Sequence, residues 1–508
     1  MAGLSPSLKV QEALAGVTAP AEFKDKSVRG GAAAVAGQAF GIFLQIGTTV
    51  VLARLLSPAD YGLQSMVITL TGFLSLFKDA GLNSAAIQKE DLTQEQLSSL
   101  FWINLALGAL LTLLVACSGP FLVTFYKEPR LRWITFASAW VFVFNSLVVQ
   151  HRALLDRAMR FSTSAKIDAL SAGASAVVAI TLAALGFGYW SLIIQTLSIP
   201  IVSGIAVCVA MPWRPGRPAL APGIRSMMRF GGTVTLNGFV VYLAYNMEKI
   251  LLGRYWGAAQ LGTYGRAYQL ANLPVQQLIQ TVHSVAFPVL SRMQNDAQRL
   301  RAAFLKSLSL VTSFTIPVVI GSAVFADEAV FVVLGPKWDG VASVLRLLSP
   351  TILVFALVNP FSWFLRATGR VGRSLKTAFL LCPVVILGIV AGLRRGPPGV
   401  AMGYSTAMLL LLAPLVAWAI YGTGITAGAY WDAVKRPLGA GAIAGTAGWL
   451  LKWRLESLLP PVPVLAVGLI VSFALYACIL LFLKNTREMY TDLVRQIIRR
   501  KRGLPAES

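Results

Sequence analysis

The chain has 508 residues, of which 56% are hydrophobic and 13% charged, and its mean hydropathy is +0.69. That composition lies outside the range of water-soluble globular domains and makes lipid the main solvent of the chain. The formal charge of +23 would point to nucleic acid in a soluble protein, but the cations lie between apolar segments with no basic, aromatic-laced face, so a membrane protein obeying the positive-inside rule is expected and nucleic acid is not.

In chain order, residues 1–28 form a polar cytoplasmic N-terminal segment without the apolar core and small-residue cleavage site of a signal peptide. Crossing a hydrocarbon layer of roughly 30 Å takes about 20 apolar residues. Runs of that kind predict helices near 31–53, 63–82, 99–124, 131–150, 168–186, 189–211, 230–252, 267–290, 305–326, 341–365, 375–393, 399–420, 437–451 and 462–483. The eighth is interrupted by Gln276, Gln277, Gln280, His283 and two prolines, and the thirteenth is short and built of Gly and Ala. The fold class is therefore an all-α polytopic membrane protein of about fourteen transmembrane helices, without the short alternating segments of a β-barrel.

An internal repeat organises these helices. A shift of 200 positions pairs Arg29 with Arg229, Gly31 with Gly231, Leu52 with Leu252, Arg54 with Arg254, Ala59 with Ala259 and Gly62 with Gly262. In both copies the same short polar turn separates the Arg from the Gly after an unbroken apolar stretch. Six helices lie between the copies, an even number, so the repeat is parallel. A second echo pairs Arg157-Ala158 through Lys166 with Arg366-Ala367 through Lys376. The expected organisation is an N-lobe at 29–211, a cytoplasmic linker at 212–228, a C-lobe at 229–420, two further helices within 421–484 and a basic cytoplasmic tail at 485–508. Repeats of this kind in polytopic proteins belong to alternating-access transporters with the site between them.

Lys and Arg counted loop by loop place roughly 30 of the 44 on one side and about 12 on the other, which puts both termini in the cytoplasm. The tail sequence Arg499-Arg500-Lys501-Arg502 adds a polybasic anchor for anionic lipid, and a plain positive-inside stop is preferred to a regulatory reading of it. Chemistry outside the membrane is limited, because no connection exceeds about twenty residues. No phosphate-binding GxxxxGK[ST] loop, HExxH or GxSxG is present, and two distant histidines make no metal site. An enzyme is not expected. Cys117, Cys208, Cys382 and Cys478 have no CxxC spacing and read as small buried apolar residues.

Ionisable groups within helices cost roughly 2.5–3.5 kcal/mol each on insertion scales and are functional candidates by default. Here they are Lys78 and Asp79 in the second helix and Glu248 and Lys249 in the seventh. The competing reading is that they snorkel from helix ends to the interface. Polar stripes accompany them: Gln38 and Gln45 on the first helix, Asn237, Tyr245 and Glu248 on the seventh, and Gln276, Gln280 and His283 on the eighth. Such stripes line a wet cavity or form interhelical hydrogen bonds. Gly37-xxx-Gly41 reads as close helix packing.

Several stretches resemble the bacterial polysaccharide flippase family of the multidrug/oligosaccharidyl-lipid/polysaccharide superfamily. They are Asn246-Met-Glu-Lys-Ile-Leu-Leu-Gly-Arg254, Gln260-Leu-Gly-Thr-Tyr-Gly-Arg-Ala-Tyr-Gln-Leu270, Phe287-Pro288 before Ser291-Arg292, Ala53-Arg-Leu-Leu-Ser-Pro-Ala-Asp-Tyr-Gly62, Asp79-Ala-Gly-Leu82, Gly188-Tyr-Trp190 and Gly335-Pro-Lys-Trp338. The family commonly has Asp where Glu248 stands. The resemblance implies two bundles around a central cavity, and export of polyprenyl-diphosphate-linked oligosaccharide from the cytoplasmic to the outer leaflet of the bacterial inner membrane. Lys or Arg would offset the diphosphate charge, while Gln, Asn and Tyr would bind the sugars. Polysaccharide polymerase and glycosyltransferases are the expected partners, the protein is expected to be a monomer in membrane lipid, no cofactor is expected, and the coupling ion, H⁺ or Na⁺, stays open. A drug/cation antiporter of the same fold is the alternative, weakened by the absence of Asp and Glu from the first helix. A membrane glycosyltransferase or ligase is disfavoured by the short loops.

Overall fold

A computed structural model of the chain describes residues 37, 40–78, 93–158, 160–218, 224–293, 296–368 and 372–482. Their secondary structure is helical: α1 (Phe40–Leu55), α2 (Pro58–Lys78), α3 (Gln94–Cys117), α4 (Gly119–Tyr126), α5 (Leu131–Arg157), α6 (Phe161–Ala184), α7 (Tyr189–Ala210), α8 (Ile224–Arg292), α9 (Ala297–Val324), α10 (Ala326–Val333), α11 (Val341–Val358), α12 (Pro360–Ala367), α13 (Gly372–Gly392), α14 (Gly396–Ile420), α15 (Ala427–Leu455) and α16 (Pro461–Phe482). The described part of each of the fourteen expected segments is helical along most of its length, with 99–124 broken at Ser118, 305–326 at Phe325 and 341–365 at Asn359. Among the described residues eight helical stretches are long and apolar enough to cross a membrane. The protein is an all-α polytopic membrane protein.

The residues 1–28, Gln38, Asp79 and the tail 485–508 lie outside the described residues. So do the side chains of Lys78, Asn237 and Tyr245, although these positions are helical.

Two compact units divide the chain, Met1–Gly262 and Thr263–Ser508. In the first, α3 packs on α5, α5 on α7 and α6 on α7, with α2 against α3, α5 and α7. One end of this unit is tied by a bidentate pair from Arg152 to Asp168, 2.5 and 2.6 Å. The chain leaving α7 is also fixed there. Trp213 donates from its indole to Gln94 Oε1 (2.7 Å), Gln94 donates to the Arg214 carbonyl (3.1 Å), and Trp102 donates to the Gly216 carbonyl (2.8 Å). His151 Nε2 lies 3.1 Å from the Trp213 carbonyl oxygen. The start of the expected linker is thus a packed strap.

In the second unit, α13 packs on α14, α14 on α11, α11 on α9, α9 on α15 and α15 on α16. Buried Phe325 meets Gly448 of α15 and Gly468 of α16, which seats the last two helices on this unit. The α13–α14 hairpin is closed by backbone contact. A methyl group on Gly388 would lie 2.5 Å from the Gly403 carbonyl oxygen, and one on Gly392 would lie 2.0 Å from that of Gly399. Two small-xxx-small pairs face each other there, a packing device of membrane helices.

Two expectations are corrected. In Gly37-xxx-Gly41 only Gly37 makes the close approach, with its methyl position 2.8 Å from Ala165 Cβ, while Gly41 faces open space. The cysteines are free thiols, but Cys117, Cys208 and Cys478 are exposed rather than buried. Both corrections have one cause: where the surrounding solvent is hydrocarbon, an apolar residue gains little by facing inward, so composition does not tell the lipid side of a helix from its packed side.

Candidate functional site

The polar turn expected between Arg54 and Gly62 is the first turn of α2. Ser57 Oγ donates to Asp60 Oδ2 (2.6 Å), and the Ser57 amide donates to the same oxygen (2.9 Å). This three-residue spacing is that of a capping box, with the acid at the helix start also favoured by the helix dipole. In the second copy Gly257 replaces Ser57 and takes φ 77°, ψ −177°, the one break within α8. A side chain other than glycine's is strained there. The seventh and eighth expected helices are therefore joined through a helical connection with a single glycine kink, not a polar loop.

The two copies meet. A methyl group on Gly62 would lie 1.7 Å from the carbonyl oxygen of Ala258, and one on Gly262 would lie 1.8 Å from the carbonyl oxygen of Pro58. Shifted by 200 positions each contact becomes the other, so the copies form a self-complementary pair of the kind found at a two-fold axis. Around it Leu52, Leu63, Leu252 and Leu261 are buried. Arg54 is exposed, whereas Arg254 lies over Phe125 (5.8 Å) and Tyr255 (5.9 Å), and Gly253 makes room for the Tyr126 ring.

More than two turns before this joint, α8 carries the charged strip. Tyr242 donates its phenol to the Thr69 carbonyl of α2 (2.8 Å) at a place cleared by Gly72. Asn246 donates to the Tyr242 carbonyl (2.9 Å), and Lys249 Nζ donates to Asn246 Oδ1 (2.7 Å). Glu248 is fully buried, and among the described residues neither of its carboxylate oxygens has a hydrogen-bond donor. A charge in that position is costly unless compensated. Lys249, the next residue, supplies the neighbouring positive charge and is itself only partly buried. Chemically, the strip offers a positioned ammonium for an anion and an acceptor-only group for a proton or a cation.

The remaining expected residues are not all brought to this strip. Gln45 and Gln280 are exposed, and His283 packs its ring against Trp363 at 5.1 Å in the second unit. Two buried amides were missing from the sequence reading. Asn104 on α3 and Gln150 on α5 are 4% and 0% exposed, and among the described residues Asn104 Nδ2, Gln150 Nε2 and Gln150 Oε1 have no hydrogen-bond partner. The signal was present as Ser146 and Gln150 four apart on a membrane helix, with Ser146 facing Gly108 of α3.

Residues 51–343 match the family described as polysaccharide biosynthesis protein. The chain belongs to that family. The matched residues contain the self-complementary glycine joint, the charged strip and the Asn104–Gln150 region. Curated relatives agree. The lipopolysaccharide biosynthesis protein WzxC of Escherichia coli (strain K12) is 26% identical over 75% of this chain and 78% of its own length. The teichuronic acid biosynthesis protein TuaB of Bacillus subtilis (strain 168) is 27% identical over 64% and 68%. The succinoglycan biosynthesis transport protein ExoT of Rhizobium meliloti (strain 1021) is 27% identical over 68% and 70%. Among solved structures, the lipid II flippase MurJ in its inward closed conformation has TM-score 0.72 at 14% identity, covering 91% of this chain and 99% of its own. That likeness is one of fold. This family member is a multi-pass membrane protein.

Proposed function

We propose that the protein carries polyprenyl-diphosphate-linked oligosaccharide repeat units from the cytoplasmic to the outer leaflet of the bacterial inner membrane, for assembly of a surface polysaccharide. The observation that carries this reading is the family match over residues 51–343. It is supported by relatives whose names concern lipopolysaccharide, teichuronic acid and succinoglycan, the last as a transport protein. Sugars and diphosphate cannot cross hydrocarbon unaided, whereas a polyprenyl tail can stay in it. A head group led past Lys249 meets a cation that offsets phosphate charge; one contact at about 4 Å is worth about 4 kcal/mol at an effective dielectric near 20. The coupling ion, H⁺ or Na⁺, is taken up at Glu248, where a carboxylate without a donor has most to gain from either. The lobes at 29–211 and 229–420 alternate access, with the helices of 421–484 added to the second lobe, and the protein works as a monomer handing its cargo from glycosyltransferases to a polysaccharide polymerase.

Deleting the gene is expected to accumulate lipid-linked repeat units on the inner leaflet and to abolish a surface polysaccharide. Normal polymer with altered dye efflux would instead favour the drug/cation antiporter. Both termini are placed in the cytoplasm. Cysteines introduced as Arg157→Cys and Arg370→Cys should label from the cytoplasm only, and labelling from outside would reverse this sidedness.

A further inference from the structure

Where α9 ends and α15 ends, the second unit holds a chain of charges that alternates in sign. Arg346 donates from Nη2 to Asp327 Oδ2 (2.6 Å) and from Nε to the Ala323 carbonyl (3.2 Å). Lys452 Nζ donates to the same Asp327 oxygen (3.1 Å), to Glu328 Oε2 (3.0 Å) and to the Val324 carbonyl (3.1 Å), and pairs with Glu456 Oε1 at 3.3 Å. Two members of this chain are dry, and three, Asp327 at 56% exposure with Arg346 and Glu456, are wet. The side chains of Lys452 and Glu328 are 9% and 6% exposed, those of Arg346 and Glu456 47% and 51%. Burial pushes the Asp327 carboxyl up, but its hydrogen bond from Lys452 and the charges of Arg346 and Lys452 outweigh this and hold it below the usual carboxylate range.

The two open ends, one positive and one negative, line a single cavity of about 630 Å³ together with Thr446, Trp449 and Lys452. Asp327 and Lys452 stand between them, so Arg346 and Glu456 do not satisfy one another; no such pair occurs among the described residues. An arginine has five N–H donors, and its two bonds here use two. From the cavity wall outward, α15 presents Trp449, Leu450 and Trp453 at 57%, 51% and 65% exposure. Indoles at the end of a membrane helix mark the level of lipid headgroups. This end of α15 is the outer face under the sidedness proposed above.

A polar cavity at headgroup level with a cation at one end and a carboxylate at the other fits a headgroup that is itself a zwitterion. We propose that this cavity binds phosphatidylethanolamine, its phosphate toward Arg346, its primary ammonium toward Glu456 and its acyl chains along Trp449 and Trp453. Arginine matches phosphate geometry with paired donors, and a primary ammonium donates to carboxylate, which the quaternary nitrogen of phosphatidylcholine cannot do. Anionic phosphatidylglycerol is disfavoured because three carboxylates outnumber two cations in the cluster. Seated there, the lipid would bridge α11 and α15 and join the bilayer to the junction between the second bundle and the last two helices.

The test uses the purified full chain in nanodiscs that contain equal amounts of dioleoyl phosphatidylethanolamine, phosphatidylcholine and phosphatidylglycerol, with retained lipids counted by native mass spectrometry. Phosphatidylethanolamine should be retained with a preference of roughly fivefold, about 1 kcal/mol. Glu456→Gln should erase the preference over phosphatidylglycerol, and Arg346→Gln should lower retention of every phospholipid. Glu456 is half exposed and at the end of the chain of charges, so its variant keeps the fold, which an unchanged size-exclusion profile and melting temperature verify. The proposal is overturned by equal retention of the three lipids, by a preference for phosphatidylglycerol, or by a phosphatidylethanolamine preference that survives Glu456→Gln.

Discussion

The two copies of the repeat share a scaffold and differ in what they bury. At the same position of the repeat, the first copy has Thr48, which is 8% exposed and donates to the Leu44 carbonyl one turn back (2.7 Å). The second copy has Glu248, 0% exposed and, among the described residues, without a donor to either oxygen. A threonine can satisfy itself on its own helix; a glutamate in that place cannot. Evolution of function in a duplicated membrane scaffold therefore reads as symmetry in the glycines and asymmetry in the charges. The glycines hold the copies together, and the copy with the buried carboxylate is the one to which the proposed chemistry is assigned.

The comparison is broken most severely at the joint. Gly62→Ala and Gly262→Ala each place a methyl group inside a carbonyl oxygen of the other copy, and each should destabilise by more than about 3 kcal/mol, read as lost monodisperse protein in detergent. The losses should be equal; tolerance of either one would deny the reciprocal contact. Next in size is the charge itself. Glu248→Gln should cut transport of lipid-linked oligosaccharide into vesicles at least ~10-fold, about 1.4 kcal/mol, while Thr48→Val at the matching position leaves it within about twofold, as expected of a self-satisfied hydroxyl. Equal effects would erase the asymmetry. Lys249→Ala should slow transport by a smaller factor with an unchanged melting temperature, and Lys249→Arg should restore it. Normal transport by purified Lys249→Ala would reduce this lysine to an interfacial anchor. The smallest effect separates the two helix starts. Asp60→Ala removes a cap and should cost about 1 kcal/mol, whereas exposed Gln260 at the matching position should change stability by less than about 0.5 kcal/mol when replaced by Ala.

The helices were legible because hydrocarbon demands long apolar runs, and the repeat was legible because Gly62 and Gly262 keep their places at equal spacing. What those glycines touch was not, since a contact between residues 58 and 262 leaves no trace in local pattern. The kink at Gly257 was hidden for a related reason: the residues around it are good helix formers, and only the positive φ separates two helices that otherwise run together. Among candidate residues, Glu248 and Lys249 stood out by the cost of charge in lipid, while Asn104 and Gln150 did not, because a single amide in an apolar run is common and its isolation depends on the facing helix. The alternating charges from Asp327 to Glu456 were equally invisible, drawn from three segments that the fold alone assembles.

The glycine-closed hairpin of α13 and α14 also bears on how the chain is made. Its contacts join residues seven to fifteen positions apart, from Gly392 with Gly399 to Gly388 with Gly403, so their closure needs nothing from the rest of the protein. Contacts that local form early. The pair is therefore suited to leave the translocon as one prefolded insert, with the short turn at Leu393–Arg395 already on the far side, and to offer α11 a finished surface to dock against when the bundle assembles.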